Sequence, residues 1–295
     1  MEVIIEKLIY ERAPWIFSKN IFIKALKPLI YKILNYEKTL NIANNIKDLN
    51  CDKLFNYLCD LLAKNVKITG LSNIPKTGSA IIICNHPTGI ADGIMIYHSI
   101  NKIRPDLFFY ANVDAIRIFP QLSNIIAPIQ WRARKRTLTS SRETLKFTKE
   151  AFKNQRLAII FPSGRLAKRK RLSLIERKWM PSAISLARKY NLPIIPVHIN
   201  ARNSLLFYFL DLISQSLKDI TLFYEVLNKK DYNFRIKIGR SINTQDLPQE
   251  NEDATLFVKE RVLSLGKFKR FHVLSSPFID ILKPILFLKI KFFKF

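Results

Sequence analysis

His86 and Asp92, separated by Pro87-Thr88-Gly89-Ile90-Ala91, are the two side chains whose types and spacing suit a reaction. An imidazole titrates near neutral pH, and a carboxylate can hold it in one tautomer. A histidine held in this way can act as a general base that takes the proton of a hydroxyl group. The residues around the pair place it at the end of a strand. Ile81 to Ile83 form an apolar β-branched run of the kind that is buried on both faces of a sheet. Pro87 restricts His86 to extended geometry, and Gly89 lets the chain turn tightly. A helix is then predicted over Ala91 to Ile103, with Asp92 in its first turn, where the helix dipole favours a carboxylate. Taken alone, such a pair is more often a loop histidine satisfied by its neighbour than a base.

The elements that would position this loop alternate along the chain. Residues 1 to about 64 read as helical, with Pro14 and Pro28 breaking the pattern. Ile21 to Leu34 interleaves apolar residues with lysines, which fits an interfacial helix lying on a membrane and fits an ordinary amphipathic helix packed on its own domain. Asp48 to Lys64 carries Leu54, Leu58, Leu61 and Leu62 at helical spacing, a stripe for a core. Val66 to Gly70 reads as an edge strand, and Leu107 to Tyr110, Ile125 to Trp131, Leu157 to Phe161 and Leu192 to His198 as further strands. Helices are predicted over about 141–154, capped by Ser140 with Glu143, over 177–190 and over Asp253 to Leu265. Asn233 to Arg240 alternates like a half-buried strand. Strands interleaved with helices predict an α/β architecture.

Composition narrows the function classes. The chain has 295 residues, 48% of them hydrophobic, enough for one sizeable core. Its net charge of +26 calls for an anionic partner or surface, and nucleic acid and anionic lipid both qualify. There is no zinc-finger, KH or RNP motif, so no nucleic acid is expected, although a basic nucleic-acid-binding protein stands as the alternative class. Cys51, Cys59 and Cys84 are odd in number and form no CxxC, which fits a reducing compartment. The first residues do not read as a secretory signal, and no charge-free apolar run reaches the ~18–20 residues of a spanning helix. The tail, Phe271 to Phe295, sets large apolar residues among Lys283, Lys289, Lys291 and Lys294. It suits a membrane interface, a strap folded back on the domain, or a partner for residues 21–34.

Asn85-His86-Pro87-Thr88-Gly89-Ile90-Ala91-Asp92-Gly93 resembles the first motif of the glycerolipid acyltransferase superfamily, the lysophosphatidic-acid-acyltransferase-like proteins. The family's usual spacing has four residues between His and Asp. The five found here resemble the bacterial hemolysin-like and ornithine-lipid O-acyltransferase branch, as do Ala201 to Phe207 and Asn233 to Arg240. Phe161, Pro162 and Gly164 match the third motif, whose loop contacts the acceptor's phosphate in relatives. Ser163 stands where Glu is usual, and Arg165 where Thr is usual. Arg132 falls near the arginine of the second motif, and the strand with Pro193 and Pro196 resembles the fourth, which lines the acyl site.

The resemblance implies a central mostly parallel or mixed sheet flanked by helices over residues 65–267. A helical region over 1–64 precedes it, and an amphipathic tail over 268–295 follows. It implies a lysolipid O-acyltransferase of phospholipid or ornithine-lipid biosynthesis, with a catalytically silent lipid-binding relative as a further alternative. His86 would be the base and Asp92 its orienting partner. Asn85, Gly89, Arg132, Phe161, Pro162, Ser163, Gly164 and Arg165 would bind substrate, and Pro193 and Pro196 would line the acyl site. The acyl thioester of acyl carrier protein or of CoA is the expected co-substrate, with no metal and no other cofactor. Partners would be a lysolipid acceptor and an anionic membrane surface, at the cytoplasmic face of a bacterial inner membrane. No suitably placed Gly-x-Ser-x-Gly occurs, which agrees with the acceptor hydroxyl itself serving as nucleophile.

Overall fold

The computed structural model describes residues 1–62, 64–130, 137–170 and 173–266. Arg132 and the tail beyond residue 266 lie outside them. The chain opens with four helices: α1 (Glu2–Arg12), α2 (Ile21–Ile33), α3 (Tyr36–Ile46) and α4 (Cys51–Leu62). There follow β1 (Asn65–Thr69), β2 (Ala80–Cys84), α5 (Ile90–Ile100), β3 (Phe108–Asn112), α6 (Asp114–Ile118), β4 (Ile126–Ile129), α7 (Leu138–Lys153) and β5 (Leu157–Ile160). The second half holds β6 (Lys168–Lys170), β7 (Ser173–Ile175), α8 (Ser182–Tyr190), β8 (Ile194–Asn200), α9 (Leu205–Ile213), α10 (Gln215–Ile220), α11 (Leu222–Leu227), β9 (Asn233–Ile238) and α12 (Asn251–Leu265).

Among the described residues, seven strands form one sheet in the order β1-β9-β8-β2-β5-β3-β4. Every neighbouring pair is parallel except β8 with β9. β2 lies near the middle, with Ile82 opposite Ile159 of β5 and Ile195 of β8, and all five of its residues are buried. Its side chains alternate between two cores, as a strand covered on both faces must. Ile82 and Cys84 pack with Leu54, Ala91 and Met95, beneath α4 and α5. Ile81 and Ile83 pack with Phe152, Ile184 and Val258, beneath α7, α8 and α12. The leucine stripe of α4 is thus core, with Leu54 and Leu62 buried and Leu58 and Leu61 packed against them.

Several local readings are corrected. Pro28 does not break α2, which runs through it. A proline inside a helix costs about 3 kcal/mol, and the packing of Ile30, Tyr31 and Leu34 onto Ala13, Ile16 and Ile220 offsets it. Helix α7 starts at Leu138, two residues before Ser140. Thr137 is its N-cap, accepting from the Ser140 N–H at 3.1 Å, while the Ser140 hydroxyl accepts from the Thr137 N–H at 3.1 Å. Lys168 to Lys170, a basic segment, pairs antiparallel with β7 as a separate two-stranded sheet. Helix α8 begins only at Ser182, which frees residues 176–181 for another use.

His198 is a structural residue with a pH signature. Its Nδ1 is buried without a partner among the described residues, and the Gly266 backbone lies against its ring so closely that a Cβ there would come within 2.5 Å. Burial pushes its pKa from 6.5 down to about 4, helped by the charge of Lys237. The unfolded chain therefore binds the proton first, and stability should fall as pH drops from about 6.5 toward 4. His198→Leu should remove that part of the acid loss when urea midpoints are compared at pH 7 and pH 5. An equal loss in the variant would refute the assignment.

Candidate active site

The His86 loop leaves β2 at the carboxyl end of the sheet and returns as α5, an arrangement that places loop groups at a strand end beside a helix N-terminus. Gly89 carries the turn at φ +90°, and a side chain there would also press on Leu166. Asp92 is fully buried in the first turn of α5. Its Oδ2 accepts from the backbone N–H groups of Thr88 and Gly89, both at 2.8 Å, and lies 2.9 Å from His86 Nδ1. Its Oδ1 accepts from the Thr88 hydroxyl. The carboxylate is thus fixed by the same loop that it orders, and the imidazole is fixed in turn. With Nδ1–H donating to Asp92, the lone pair rests on Nε2, the nitrogen that can take a proton. The His86 side chain keeps 19% exposure while Asp92 keeps none, so the base is reachable and its partner is not.

The third-motif segment packs directly on this loop. Phe161 stacks on the His86 ring with centroids 4.3 Å apart. The Ala167 N–H donates to the His86 carbonyl at 2.9 Å, and Leu166 lies against Gly89. Gly164 turns at φ +56° and its N–H donates to the Phe161 carbonyl, while the Ser163 hydroxyl donates to the Arg165 carbonyl at 2.7 Å. Arg165 is exposed on the same turn, and Pro162 is buried with its carbonyl taken by the Met180 N–H. Phe161, Gly89 and the 162–165 turn are thereby brought to one place with His86 and Asp92.

Other predicted residues are used elsewhere. The Asn85 amide is spent on β8: its Nδ2 donates to the Ile199 carbonyl at 2.9 Å and its Oδ1 accepts the Ile199 N–H at 2.7 Å. It extends the sheet ladder by one side chain and fixes the base of the loop. The Pro193 carbonyl accepts from Ile81, at the end of β2 far from His86. Pro196 lies opposite Ile83 in mid-sheet, with its ring near Gly239. Neither proline is gathered with His86.

Two clusters escaped the sequence reading. Glu176 accepts the His86 backbone N–H at 3.0 Å on one oxygen and the Trp179 indole N–H at 3.1 Å on the other. Burial raises its pKa, against those two donors. With Ala167 on the carbonyl side, the His86 backbone is held at both its N–H and its C=O. The second cluster is the ion pair of Lys229 Nζ with Glu225 Oε2 at 2.6 Å, with side chains only 2% and 1% exposed. Glu225 also accepts from the Ser204 N–H and hydroxyl, and so anchors the turn after β8. Burial lowers the Lys229 pKa, opposed by Glu225 and by the field of Asp92.

Residues 65–200, from β1 through β8, match the family model described as Acyltransferase. That segment contains the His86 loop, the turn stacked on it and the strands that carry both. Over these residues the chain is an acyltransferase domain. The acyltransferase is 26% identical to a lyso-glycine lipid O-acyltransferase of Phocaeicola vulgatus over 70% of this chain and 75% of that protein. It is 22% identical to a lyso-glycine lipid O-acyltransferase of Bacteroides thetaiotaomicron over 88% and 96%. Among solved structures it is similar to the 1-acyl-sn-glycerophosphate acyltransferase of Thermotoga maritima. The TM-score there is 0.48 and the identity 17%, over 82% of this chain and 95% of that one. No helix among the described residues of the acyltransferase is long and apolar enough to cross a membrane.

Proposed function

We propose that this acyltransferase moves an acyl chain from a thioester of acyl carrier protein or CoA onto the hydroxyl of a lysolipid that carries an amino-acid headgroup. The observation that carries the reading is the buried Asp92 carboxylate holding Nδ1 of a partly exposed His86 inside an acyltransferase domain. In the proposed reaction, His86 Nε2 takes the proton of the acceptor hydroxyl as its oxygen attacks the thioester carbonyl carbon. Asp92 holds the ring and stabilises the imidazolium that forms. The tetrahedral intermediate then expels the thiolate, which recovers the proton from His86. The acceptor oxygen occupies the place that a serine takes in hydrolases, so no acyl-enzyme forms.

Two features favour an amino-acid lipid over lysophosphatidate. The Ser163 hydroxyl is turned onto the Arg165 carbonyl within its own loop, so the turn offers no carboxylate where the superfamily's third motif has Glu. The two curated relatives are named for a lyso-glycine lipid, and the five-residue spacing from His86 to Asp92 resembles the ornithine-lipid branch. Both are lipids with an amino-acid headgroup. Such an acceptor resides in a bilayer, and α2 suits that surface: Ile21, Phe22, Leu26, Leu29 and Ile33 are exposed on one face, with Lys24 and Lys32 exposed beside them. The test is a panel of lyso-glycine lipid, lyso-ornithine lipid and lysophosphatidate offered with a labelled acyl thioester. An amino-acid lysolipid should be the best acceptor. A tenfold or greater preference for lysophosphatidate, about 1.4 kcal/mol in the transition state, would overturn the acceptor class and leave acyl transfer standing.

A further inference from the structure

Helix α9 is apolar on its outer face as well as its inner one. Phe207 and Tyr208 are buried and Leu206 packs toward Ala13, Leu34 and Ile220. Leu205, Phe209, Leu212 and Ile213 are exposed, at the i, i+4, i+7, i+8 spacing of a single helical stripe. Helix α2 has the same construction and rests on the same apolar cluster through Ile30, Tyr31 and Leu34. Two neighbouring helices thus each turn a stripe of large aliphatic and aromatic side chains outward, a surface that a protein in water alone seldom presents.

The N-terminus of α9 is anchored, and it follows β8, the strand that holds Asn85 beside His86. Its N-cap Ser204 accepts the Phe207 N–H at 3.1 Å, and the buried Glu225 holds Ser204 through both its N–H and its hydroxyl. The helix is reached from β8 within a few residues of Ile199, whose backbone is bonded to Asn85 beside His86. Exposed Lys19, Lys24 and Lys32 flank the apolar stripe of α2, and the chain as a whole carries +26. The apolar stripe of α2, rimmed by lysine, is complementary to the interface of an anionic bilayer, where aliphatic groups enter the acyl region and ammonium groups meet phosphate, and the α9 stripe offers further aliphatic and aromatic groups to the same acyl region.

We propose that α9 is a second membrane-docking element, which with α2 seats the mouth of the active site on the bilayer so that a lysolipid reaches His86 without leaving the interface. The proposal rests on the lipid-acceptor reading above. It assigns to the Leu205, Phe209, Leu212 and Ile213 face a role in delivering the acceptor and none in the chemistry.

The test uses the full chain with vesicles of phosphatidylglycerol and phosphatidylethanolamine. Phe209→Trp and Leu212→Trp should each shift their emission to shorter wavelength when vesicles are added, and brominated lipids should quench them. Leu205→Glu combined with Leu212→Glu should weaken vesicle binding at least tenfold. It should lower kcat/KM for vesicle-borne lysolipid to match, and leave kcat/KM for a short-chain water-soluble lysolipid within about twofold of the parent. Unquenched tryptophans, or vesicle binding unchanged in the double variant, would overturn the proposal. Tryptophan emission already shifted and shielded from acrylamide before vesicles are added would also overturn it. That result would assign the face to a second copy, or to residues 267–295 of this chain, according to whether the protein runs as a dimer. Failure of the lipid-acceptor reading shows separately, as a parent protein that acylates no lysolipid while its vesicle binding is still read by fluorescence.

Discussion

His86→Ala should lower acyl transfer by about 10²–10⁴-fold, the range for loss of a positioned general base, and leave the protein folded. The ring contributes one face to Phe161 and one nitrogen to Asp92, while in the proposed mechanism its Nε2 takes the proton. Nothing else in the loop depends on the ring, because Asp92 is also held by Thr88 and Gly89. Asp92→Asn should be nearly as damaging by a different route. An amide cannot accept all four donors that converge on Asp92, and an amide NH2 facing Nδ1 drives the proton of the imidazole to Nε2, where it blocks proton uptake. The check is kcat/KM for each variant beside its circular dichroism and thermal midpoint. Near-parental turnover in pure His86→Ala would remove His86 from the mechanism.

Glu225→Ala is expected to act on the fold. The substitution leaves the Lys229 ammonium buried with Asn228 Oδ1 as its remaining polar contact among the described residues, and strips Ser204 of the carboxylate that holds it. Removing one member of a buried ion pair costs about 3–5 kcal/mol, because the charge left behind is not compensated. Urea denaturation should show a loss of that order. Glu225→Ala with Lys229→Met should recover much of it, since replacing both partners removes the stranded charge. A loss below about 1 kcal/mol in the single variant would show that water or relaxation compensates Lys229 after all.

The parts of this molecule that were legible in its sequence are the parts that local physics determines. The Ile81–Ile83 run, the strand-to-loop break at Pro87, the turn at Gly89 and the carboxylate in the first turn of α5 are contained in one short stretch, and the structure reproduces each. The leucine stripe of α4 and the alternation of β9 follow from periods of 3.6 and 2. What was missed depends on residues distant in sequence. Glu176 lies 90 positions from the His86 N–H that it accepts, one residue before the helix predicted over 177–190, where no local pattern singles it out. Asn85 looked like a substrate ligand from its place in the motif, and only the register of β8 beside β2 shows Ile199 taking both ends of its amide. Pro28 was read as a breaker by propensity, which tertiary packing overrides here. The Glu225–Lys229 pair shows the i, i+4 spacing of a solvated helix pair, and nothing local announces its burial.

The central claim is direct transfer from a thioester to a lipid hydroxyl with His86 as base and no acylated protein. Its most direct measurement is mass spectrometry of the pure protein and of the lipid after brief incubation with an isotopically labelled acyl thioester, with and without lyso-glycine lipid. The account predicts unmodified protein in both cases, and label in an ester on the lipid only when acceptor is present and His86 is intact. A labelled acyl group on a side chain of the protein, formed without acceptor and discharged when acceptor is added, would contradict it.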